Sequence, residues 1–264
     1  SLSQKLANLK QNNISKIITP KFNNNYKAVL IGINHSGRNQ LYGCINDAKN
    51  IRKKLISQLN FNPINITMIL DEKNYIPPTR FNIIRVIRFF INNAKPNEKL
   101  FFSYSGHGSQ IPDYNRDELD NKDEVLICSD LKRIKDDELH NLFSRLNPSA
   151  ELFGLMDLCN SGTICDLQYS YNNLNKPIKQ PKRILRNKNI TVISAARDDQ
   201  LAYDEFFKGE YQGVLTSTFL NFIKPKIHLK YLVTLMRKYI SEQRKINQLT
   251  MLSSSYLLRP GYNL

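Results

Sequence analysis

Cysteine is scarce in this sequence: positions 44, 128, 159 and 165 hold the only four in 264 residues. So few thiols in a chain of this length exclude a disulfide-stapled scaffold and favour a reducing compartment. Long apolar runs are missing too, since no stretch of about 18 uncharged apolar residues occurs, which argues against a membrane-spanning helix. The first residues, Ser1-Leu2-Ser3-Gln4-Lys5, lack the apolar centre of a secretory signal, and we therefore expect a cytoplasmic protein.

Acidic residues are outnumbered by basic ones, 23 against 38, and the formal net charge is +15. A charge of this size is typical of proteins that bind nucleic acid. However, the lysines are scattered, and the aromatic side chains that a single-strand-binding surface needs are sparse among them. Because charge alone supports only nonspecific affinity, we expect no specific nucleic-acid partner. A basic nucleic-acid-binding protein stays as an alternative interpretation.

Short apolar segments alternate with amphipathic segments from residue 26 onwards. Helices are predicted at 46–59, 79–93, 136–146, 214–223 and 229–243, strands at 26–34, 64–70, 99–105, 152–157, 190–196 and 249–258, and a hairpin arm at 125–129. This alternation predicts an α/β fold with an open, mostly parallel sheet and helices on both faces. Residues 1–25 are predicted to form a flexible leader, and 166–189 a long exposed loop.

Two motifs place an imidazole and a thiol directly after predicted buried strands. They are Tyr104-Ser105-Gly106-His107-Gly108 and Asp157-Leu158-Cys159-Asn160-Ser161-Gly162. Open α/β sheets keep their sites at the carboxyl ends of parallel strands. A thiolate activated by an imidazole attacks acyl carbon atoms, so Cys159 and His107 are the candidate nucleophile and base. The remaining histidines, at 35, 140 and 228, lie in less suggestive contexts.

Glycines beside both motifs let a substrate backbone approach closely and let main-chain amides point inward. The amides of Gly108 and Cys159 are the natural candidates for an oxyanion hole. Taken alone, Cys159 is also compatible with a buried core thiol, and His107 with a residue of a surface loop. The pair of ordered motifs favours catalysis, and the chain is predicted to be a cysteine peptidase.

The order and local sequence of the two motifs resemble those of metacaspases, which are relatives of caspases. Four further segments carry the resemblance: residues 41–48 (LYGCINDA), 136–139 (DDEL), 194–200 (SAARDDQ) and 251–255 (MLSSS). It implies a caspase-like peptidase domain over 26–264, with a large part at 26–168, a basic linker loop at 169–189 and a small part at 190–264. Leu158 and Asn160 depart from the family pattern, which usually has Ser or Cys and His at these positions.

Substrate preference follows from charge near the nucleophile. Asp157 precedes Cys159 by two positions, and such positions of an extended strand point to the same side. A pocket for Arg or Lys needs a carboxylate, because a buried cation must be paired. The resemblance implies that Cys44, Asp47, Ser105 and Asp157 line this pocket. We therefore expect peptide or protein substrates with Arg or Lys before the cut bond. For Asp47 the alternative is a helix-start carboxylate that the helix dipole favours, and for Ser105 a turn residue.

Acidic residues cluster between positions 113 and 138 of this otherwise basic chain. Composition alone favours a solvated acidic loop, and the spacing does not fit an EF-hand. The resemblance implies a calcium site formed by Asp123, Asp136, Asp137 and Asp166, with Asp120 as an alternative to Asp123. Calcium prefers carboxylate and carbonyl oxygen atoms, so Ca²⁺ is the expected cofactor.

The predicted linker loop carries basic residues that such a pocket would accept: Lys182, Arg183, Arg186 and Lys188. We expect self-cleavage there when calcium is supplied, so that the chain is made as a zymogen. An uncut, solvated linker is the alternative. Weaker candidates for cleavage lie in the leader, at Lys10, Lys16 and Lys21. Two further alternatives are a non-catalytic caspase-like scaffold and a caspase-like enzyme with acidic specificity. We expect a monomer with no membrane partner.

Overall fold

A computed structural model describes residues 22–37, 40–112, 122–158, 164–165, 167–180, 185, 187–196, 204–207, 209–246, 248–259 and 261–263. Several predicted site residues lie outside these ranges: Cys159, Asp166, Lys182, Arg183 and Arg186. Residues 1–21 of the predicted leader, and Asp120, lie outside them as well.

An eight-stranded sheet forms the centre of the fold. Its strands, in spatial order, are β2 (Ile66–Leu70), β1 (Tyr26–Gly32), β3 (Lys99–Ser105), β7 (Glu151–Asp157), β10 (Asn189–Ala196), β13 (Leu249–Ser254), β8 (Tyr169–Asn173) and β9 (Lys176–Lys179). The first five pair in parallel, and the last three extend the sheet with antiparallel pairings. The predicted open, mostly parallel sheet is confirmed.

Helices cover both faces of this sheet. One face carries α1 (Cys44–Leu59), α4 (Val214–Phe222) and α5 (Leu229–Tyr239), and the other carries α2 (Arg80–Asn92) and α3 (Asp136–Phe143). Successive strand residues point to opposite faces. In β1, Leu30 therefore packs in the core under α1, whereas Ile31 packs in the core under α2. No helix in the described ranges is both long and apolar enough to cross a membrane.

Two small antiparallel sheets lie next to the carboxyl ends of the central strands. β4 (Gly108–Pro112), β5 (Lys122–Ile127) and β6 (Arg133–Lys135) form one of them, and it includes most of the predicted hairpin arm. β11 (Asp204–Phe207) and β12 (Glu210–Gly213) form the other, which leads directly into α4. They bring residues that are far apart in sequence to the ends of β3 and β7.

The structure differs from the predicted exposed loop at residues 169–179, which form the hairpin of β8 and β9. Tyr171 is fully buried, and its hydroxyl accepts a hydrogen bond of 2.8 Å from the amide of Leu258. The guanidinium of Arg237 donates to the carbonyl oxygens of Tyr171 and Asn172. Burial of Tyr171 thus holds β8 in the sheet. The residues around Tyr171 in the sequence are polar, and for this reason their composition predicted a loop.

Candidate active site

The ends of β3 and β7 are aligned where the two sequence motifs begin. Ser105 is the register partner of Asp157, and the amide of Gly106 donates to the carbonyl oxygen of Asp157 at 3.3 Å. His107 and Cys159 follow these partners by two positions each in the sequence. His107 therefore lies at the carboxyl edge of the sheet, whereas Cys159 lies outside the described residues.

Tyr104 and β5 hold the backbone of His107. The Tyr104 hydroxyl lies 3.0 Å from the carbonyl oxygen of His107 and 2.8 Å from that of Ile127, and the Ile127 amide donates to His107 at 3.0 Å. Burial raises the pKa of Tyr104 well above its usual value, so its hydroxyl stays a donor. A Cβ atom on Gly106 would lie 2.9 Å from this hydroxyl oxygen, which explains the glycine there.

Two buried carboxylates lie at the same edge of the sheet. Asp47, in the first turn of α1, is 0% exposed; it accepts from the Ser105 hydroxyl at 2.6 Å and from the Gly213 amide at 2.9 Å. Asp157 is 7% exposed and accepts from both the amide and the hydroxyl of Thr216 at 2.9 Å. Hydrogen bonds to charged oxygens are strong, and they fix both carboxylates in place.

Gly213 and Thr216 are residues of this site that the sequence interpretation missed. A Cβ atom on Gly213 would lie 2.2 Å from a carboxylate oxygen of Asp157 and 2.7 Å from one of Asp47, so the two carboxylates flank a position that only glycine can occupy. Gly213 is also the N-cap of α4 and has no side chain to cap it. Asp157 takes over this capping through Thr216, where the helix dipole favours its negative charge.

All four predicted pocket residues meet at this edge. Asp47 contacts Ser105 directly, Gly213 links Asp47 to Asp157, and the buried Cys44 lies one turn before Asp47 on α1. Asp47 is also an acidic residue of a first helical turn, as the alternative interpretation requires. Two buried carboxylates thus lie close together in a chain that is otherwise strongly basic.

Three of the four predicted calcium ligands form a cluster. Carboxylate oxygens of Asp123 on β5 and of Asp136 and Asp137 at the start of α3 lie within 4.8 Å of one another. Asp123 and Asp136 are both 1% exposed. Such closely grouped hard oxygen atoms fit a calcium ion. The fourth predicted ligand, Asp166, lies outside the described residues.

Burial and like charge shift the titration of this cluster. The pKa of Asp136 is raised from 3.8 to about 7, chiefly because burial removes hydration and further because Asp123 and Asp137 carry like charge. Its oxygens accept from the amides of Glu124 and Asp137. The Lys135 ammonium donates to Asp123 at 2.6 Å, and this hydrogen bond raises the pKa of Lys135. A lysine thus provides positive charge at the edge of the cluster.

Lys188 is the only predicted cleavage candidate of the linker within the described residues. It is half-buried, its ammonium donates to the carbonyl oxygen of Leu146, and β10 begins at the next residue. A peptidase binds its substrate as an extended, accessible segment, and Lys188 is not accessible in this way. Lys188 therefore does not fit a cut site, and the other three candidates lie outside the described residues.

His35 is a further residue that the sequence interpretation set aside. Its ring centroid lies 4.9 Å from that of His107, with the ring planes tilted by 45°. It follows β1, the neighbour of β3, so it occupies the same edge of the sheet for the same reason as His107. The strand-end argument that identified His107 applied equally to His35 and could have found it.

Comparisons with known proteins agree with this geometry. Residues 26–168 match the metacaspase peptidase C14 domain family. Metacaspase-1B of Aspergillus clavatus is 37% identical over 75% of this chain and 48% of its own length. Metacaspase-1B of Neurospora crassa is 30% identical over 89% of this chain and 68% of its own length. A solved protein of Geobacter sulfurreducens shares the fold, with a TM-score of 0.63 at 20% identity over 89% of this chain and 95% of that one.

The chain spans about half the length of its Aspergillus clavatus relative. Metacaspase-1 of Candida glabrata, at 28% identity, is covered over 72% of its length. The family match contains the segment of His107, the segment of Cys159 and all four predicted calcium ligands.

Proposed function

Because the chain belongs to the metacaspase family of cysteine peptidases, we propose that it is a calcium-dependent endopeptidase that cleaves after Arg or Lys. The observation that carries the proposal is the pair of buried carboxylates, Asp47 and Asp157, at the strand ends that lead to His107 and Cys159. A caspase that cuts after Asp needs cations in this place. Two fixed carboxylates instead complement a guanidinium or an ammonium, and Arg is favoured because it pairs with both oxygens of a carboxylate.

The proposed reaction is acyl transfer through a thioester. His107 takes the proton of the Cys159 thiol, and the sulfur attacks the carbonyl carbon after the basic residue. The amides of Gly108 and Cys159 stabilise the negative oxygen. The carbon–nitrogen bond then breaks, and the leaving amine takes the proton from His107. Water, deprotonated by His107, attacks the thioester and releases the new carboxyl terminus and the thiol.

Calcium binding is proposed at Asp123, Asp136 and Asp137, with Asp166 as a fourth ligand. The grouped, buried carboxylates support it, as does the raised pKa of Asp136, to which burial contributes most and the like charges of Asp123 and Asp137 contribute further. A bound calcium ion would supply positive charge to these carboxylates. They belong to β5 and α3, and β5 also contacts the backbone of His107 through the amide of Ile127.

Self-processing is proposed in the segment that contains Lys182, Arg183 and Arg186. Its three basic residues match the proposed pocket. Intact-mass spectrometry after calcium addition is expected to show two fragments from the wild type. A variant with all three residues changed to Gln is expected to stay whole, and so is Cys159→Ala. An intact wild-type chain after calcium treatment would reject this part of the proposal while leaving the peptidase activity open to direct assay.

Fluorogenic peptides that differ only in their last residue test the main proposal. Release of the fluorophore is measured for Arg, Lys and Asp peptides, with calcium and with a chelator, for the wild type and Cys159→Ala. We expect cleavage of the Arg and Lys peptides only, only with calcium, and none by Cys159→Ala.

A matched thiol control is Cys128→Ala. Cys128 is fully buried, and burial raises its pKa to about 12, so it is no nucleophile. This variant is expected to keep its activity. Equal or faster hydrolysis of the Asp peptide, or activity that survives in Cys159→Ala, would contradict the proposal. An unchanged calcium response in the variant with both Asp136→Ala and Asp137→Ala would reject the metal site alone.

A further inference from the structure

Two imidazoles meet at the carboxyl edge of the sheet, although the proposed reaction uses only one of them. His35 lies three residues beyond β1, whose last residue, Gly32, is the register partner of Ser105. The amide of Ile33 continues this pairing by donating to the Ser105 carbonyl oxygen at 3.0 Å. The ring of His35 reaches across to that of His107, with 4.9 Å between centroids. The contact follows directly from the pairing of β1 with β3.

The backbone of His35 is held in an unusual conformation to make this contact. Its φ angle is +53°, in the left-handed region that few residues other than Gly, Asn, Asp and His adopt. Its Nε2 atom is buried and finds no hydrogen-bond partner among the described residues. Non-glycine residues in the left-handed region are uncommon, and they cluster at active sites and ligand-binding positions.

The charge of His35 is controlled by its surroundings. Burial lowers its pKa, and the neighbouring His107 lowers it further, whereas Asp71 and the backbone of Ile127 act in the opposite direction. These are the charged and polar groups that face the ring from β3, β2 and β5. Near neutral pH the ring of His35 is therefore uncharged. When His107 takes the thiol proton, the new imidazolium faces a neutral ring and is not opposed by a second cation.

We propose that His35 is the positioning residue of His107: its uncharged ring packs against the base and limits the orientations that the base can adopt. The inference rests on the proposed peptidase function, in which His107 is the base. His35 acts through His107 and does not touch the reacting atoms. A base fixed in this way needs no reorientation when the substrate arrives, and misplacement of a catalytic group costs rate even when the fold is intact.

Two substitutions distinguish the effect of the His35 ring from the effect of its protonation. His35→Asn removes the ring, and Asn tolerates the left-handed backbone, so the loop keeps its path. We expect kcat on an Arg peptide to fall about 10- to 100-fold, while KM changes less than about twofold. His35→Phe keeps a ring that cannot be protonated, and we expect kcat at pH 8 to stay within about threefold of the wild-type value. His228→Asn, which changes an exposed histidine before α5, is the matched control with unchanged kinetics.

The pH profile provides a readout that simple packing would not move. As pH falls the wild type protonates His35, whereas the ring of His35→Phe takes no proton, so log(kcat/KM) falls more steeply with acid in the wild type than in His35→Phe, by one proton. The free energy of unfolding of the wild type also falls as the solution becomes more acidic. The folded-state pKa of His35 lies below the unfolded value of 6.5, so its contribution is present above pH 6.5 and is lost as pH falls. Between pH 7.5 and 5 the melting temperature of His35→Phe is therefore expected to fall less than that of the wild type.

Three results would overturn the inference: wild-type kcat in His35→Asn, a loss confined to KM, or an acid limb of His35→Phe that equals the wild-type limb. A wild type that cleaves no peptide would remove both the proposed function and the positioning role. The ring pair itself has a test without activity, the NMR titration of the His35 ring proton. His107→Phe is expected to move its midpoint to higher pH, and an unmoved midpoint would disprove the contact.

Discussion

Replacing Asp47 by Asn removes one negative charge from the proposed pocket and changes little else. The Asn side chain has nearly the same shape as Asp, and its carbonyl oxygen can still accept from the amide of Gly213. Its amide group then faces the hydroxyl of Ser105, which can rotate and accept instead of donating. The fold around α1 is therefore expected to persist, which circular dichroism and the melting temperature can check.

The size of the effect follows from the burial of Asp47. Truncating one partner of a buried, hydrogen-bonded charge pair costs about 2–5 kcal/mol. The lower half of this range applies, because Asp157 stays in the same pocket and still offers a carboxylate. A loss of about 2–3 kcal/mol corresponds to a fall of about 30- to 150-fold in kcat/KM for an Arg peptide. Asp157→Asn should cost more, because it also weakens the cap of α4.

Two peptides that differ only in ending with Arg or with its neutral isostere citrulline isolate the contribution of the substrate's positive charge. The wild type is expected to prefer Arg strongly, and Asp47→Asn is expected to shrink that preference by the same 30- to 150-fold, about 2–3 kcal/mol of coupling. Glu72→Gln, which removes an exposed carboxylate paired with Lys49, is the matched control and is expected to change rates less than about twofold. If Asp47→Asn slowed both peptides equally, the carboxylate would serve the fold and not the recognition of a cation.

The remaining predictions concern the backbone of the pocket and the calcium cluster. Gly213→Ala, whose new Cβ would overlap both carboxylates, is expected to lower kcat/KM at least ~100-fold; wild-type rates would disprove the close approach. Lys135→Met removes the ammonium that competes for Asp123, so half-saturating calcium in the peptide assay is expected to fall about two- to fivefold, whereas Lys132→Met, at an exposed lysine, leaves it unchanged. In the presence of a chelator, the raised pKa of Asp136 means that the wild type loses stability as pH rises from about 4 to 7. The melting temperature of Asp136→Asn is expected to fall less over this range than that of the wild type. Equal slopes of melting temperature against pH in the two proteins would contradict this.

The fold could be predicted because its signals are local. Continuous apolar strands and amphipathic helices alternate, and the strands with the clearest runs, 26–34 and 99–105, became the centre of the parallel sheet. The position of His107 after one such strand was enough to place it at the carboxyl edge. The helix at 214–223 was equally clear. Each of these features depends only on the pattern within about ten neighbouring residues.

The parts that could not be predicted depend on contacts between distant segments. Nothing near Asp157 indicates that Thr216 will hydrogen-bond to it, or that Gly213 will pass between it and Asp47. The β8 strand was hidden for a related reason: Tyr171 is buried against residues after 228, while the Asn and Lys residues around it are typical of a loop. A tertiary contact overrode the local composition in each case.

The path of the chain through the sheet decides what self-cleavage would do. Strands β7, β8 and β9 precede the proposed cut segment, and β10 and β13 follow it. In space β10 and β13 lie between β7 and β8, so the strands that follow the cut segment are enclosed on both sides by strands that precede it. The stacked rings of Phe153 and Phe219, 5.8 Å apart, join the two parts in the core as well.

A cut between Lys182 and Arg186 would therefore break the chain without separating its pieces. Asp157 of the large part and Thr216 of the small part also share one hydrogen-bonded cluster, so the pocket needs both. We expect calcium-treated protein to show two bands on a denaturing gel and one peak at the volume of the intact chain in native size-exclusion chromatography, with activity in that peak. Two separate peaks, or an inactive single peak, would show that the interleaved sheet does not hold the processed pocket together.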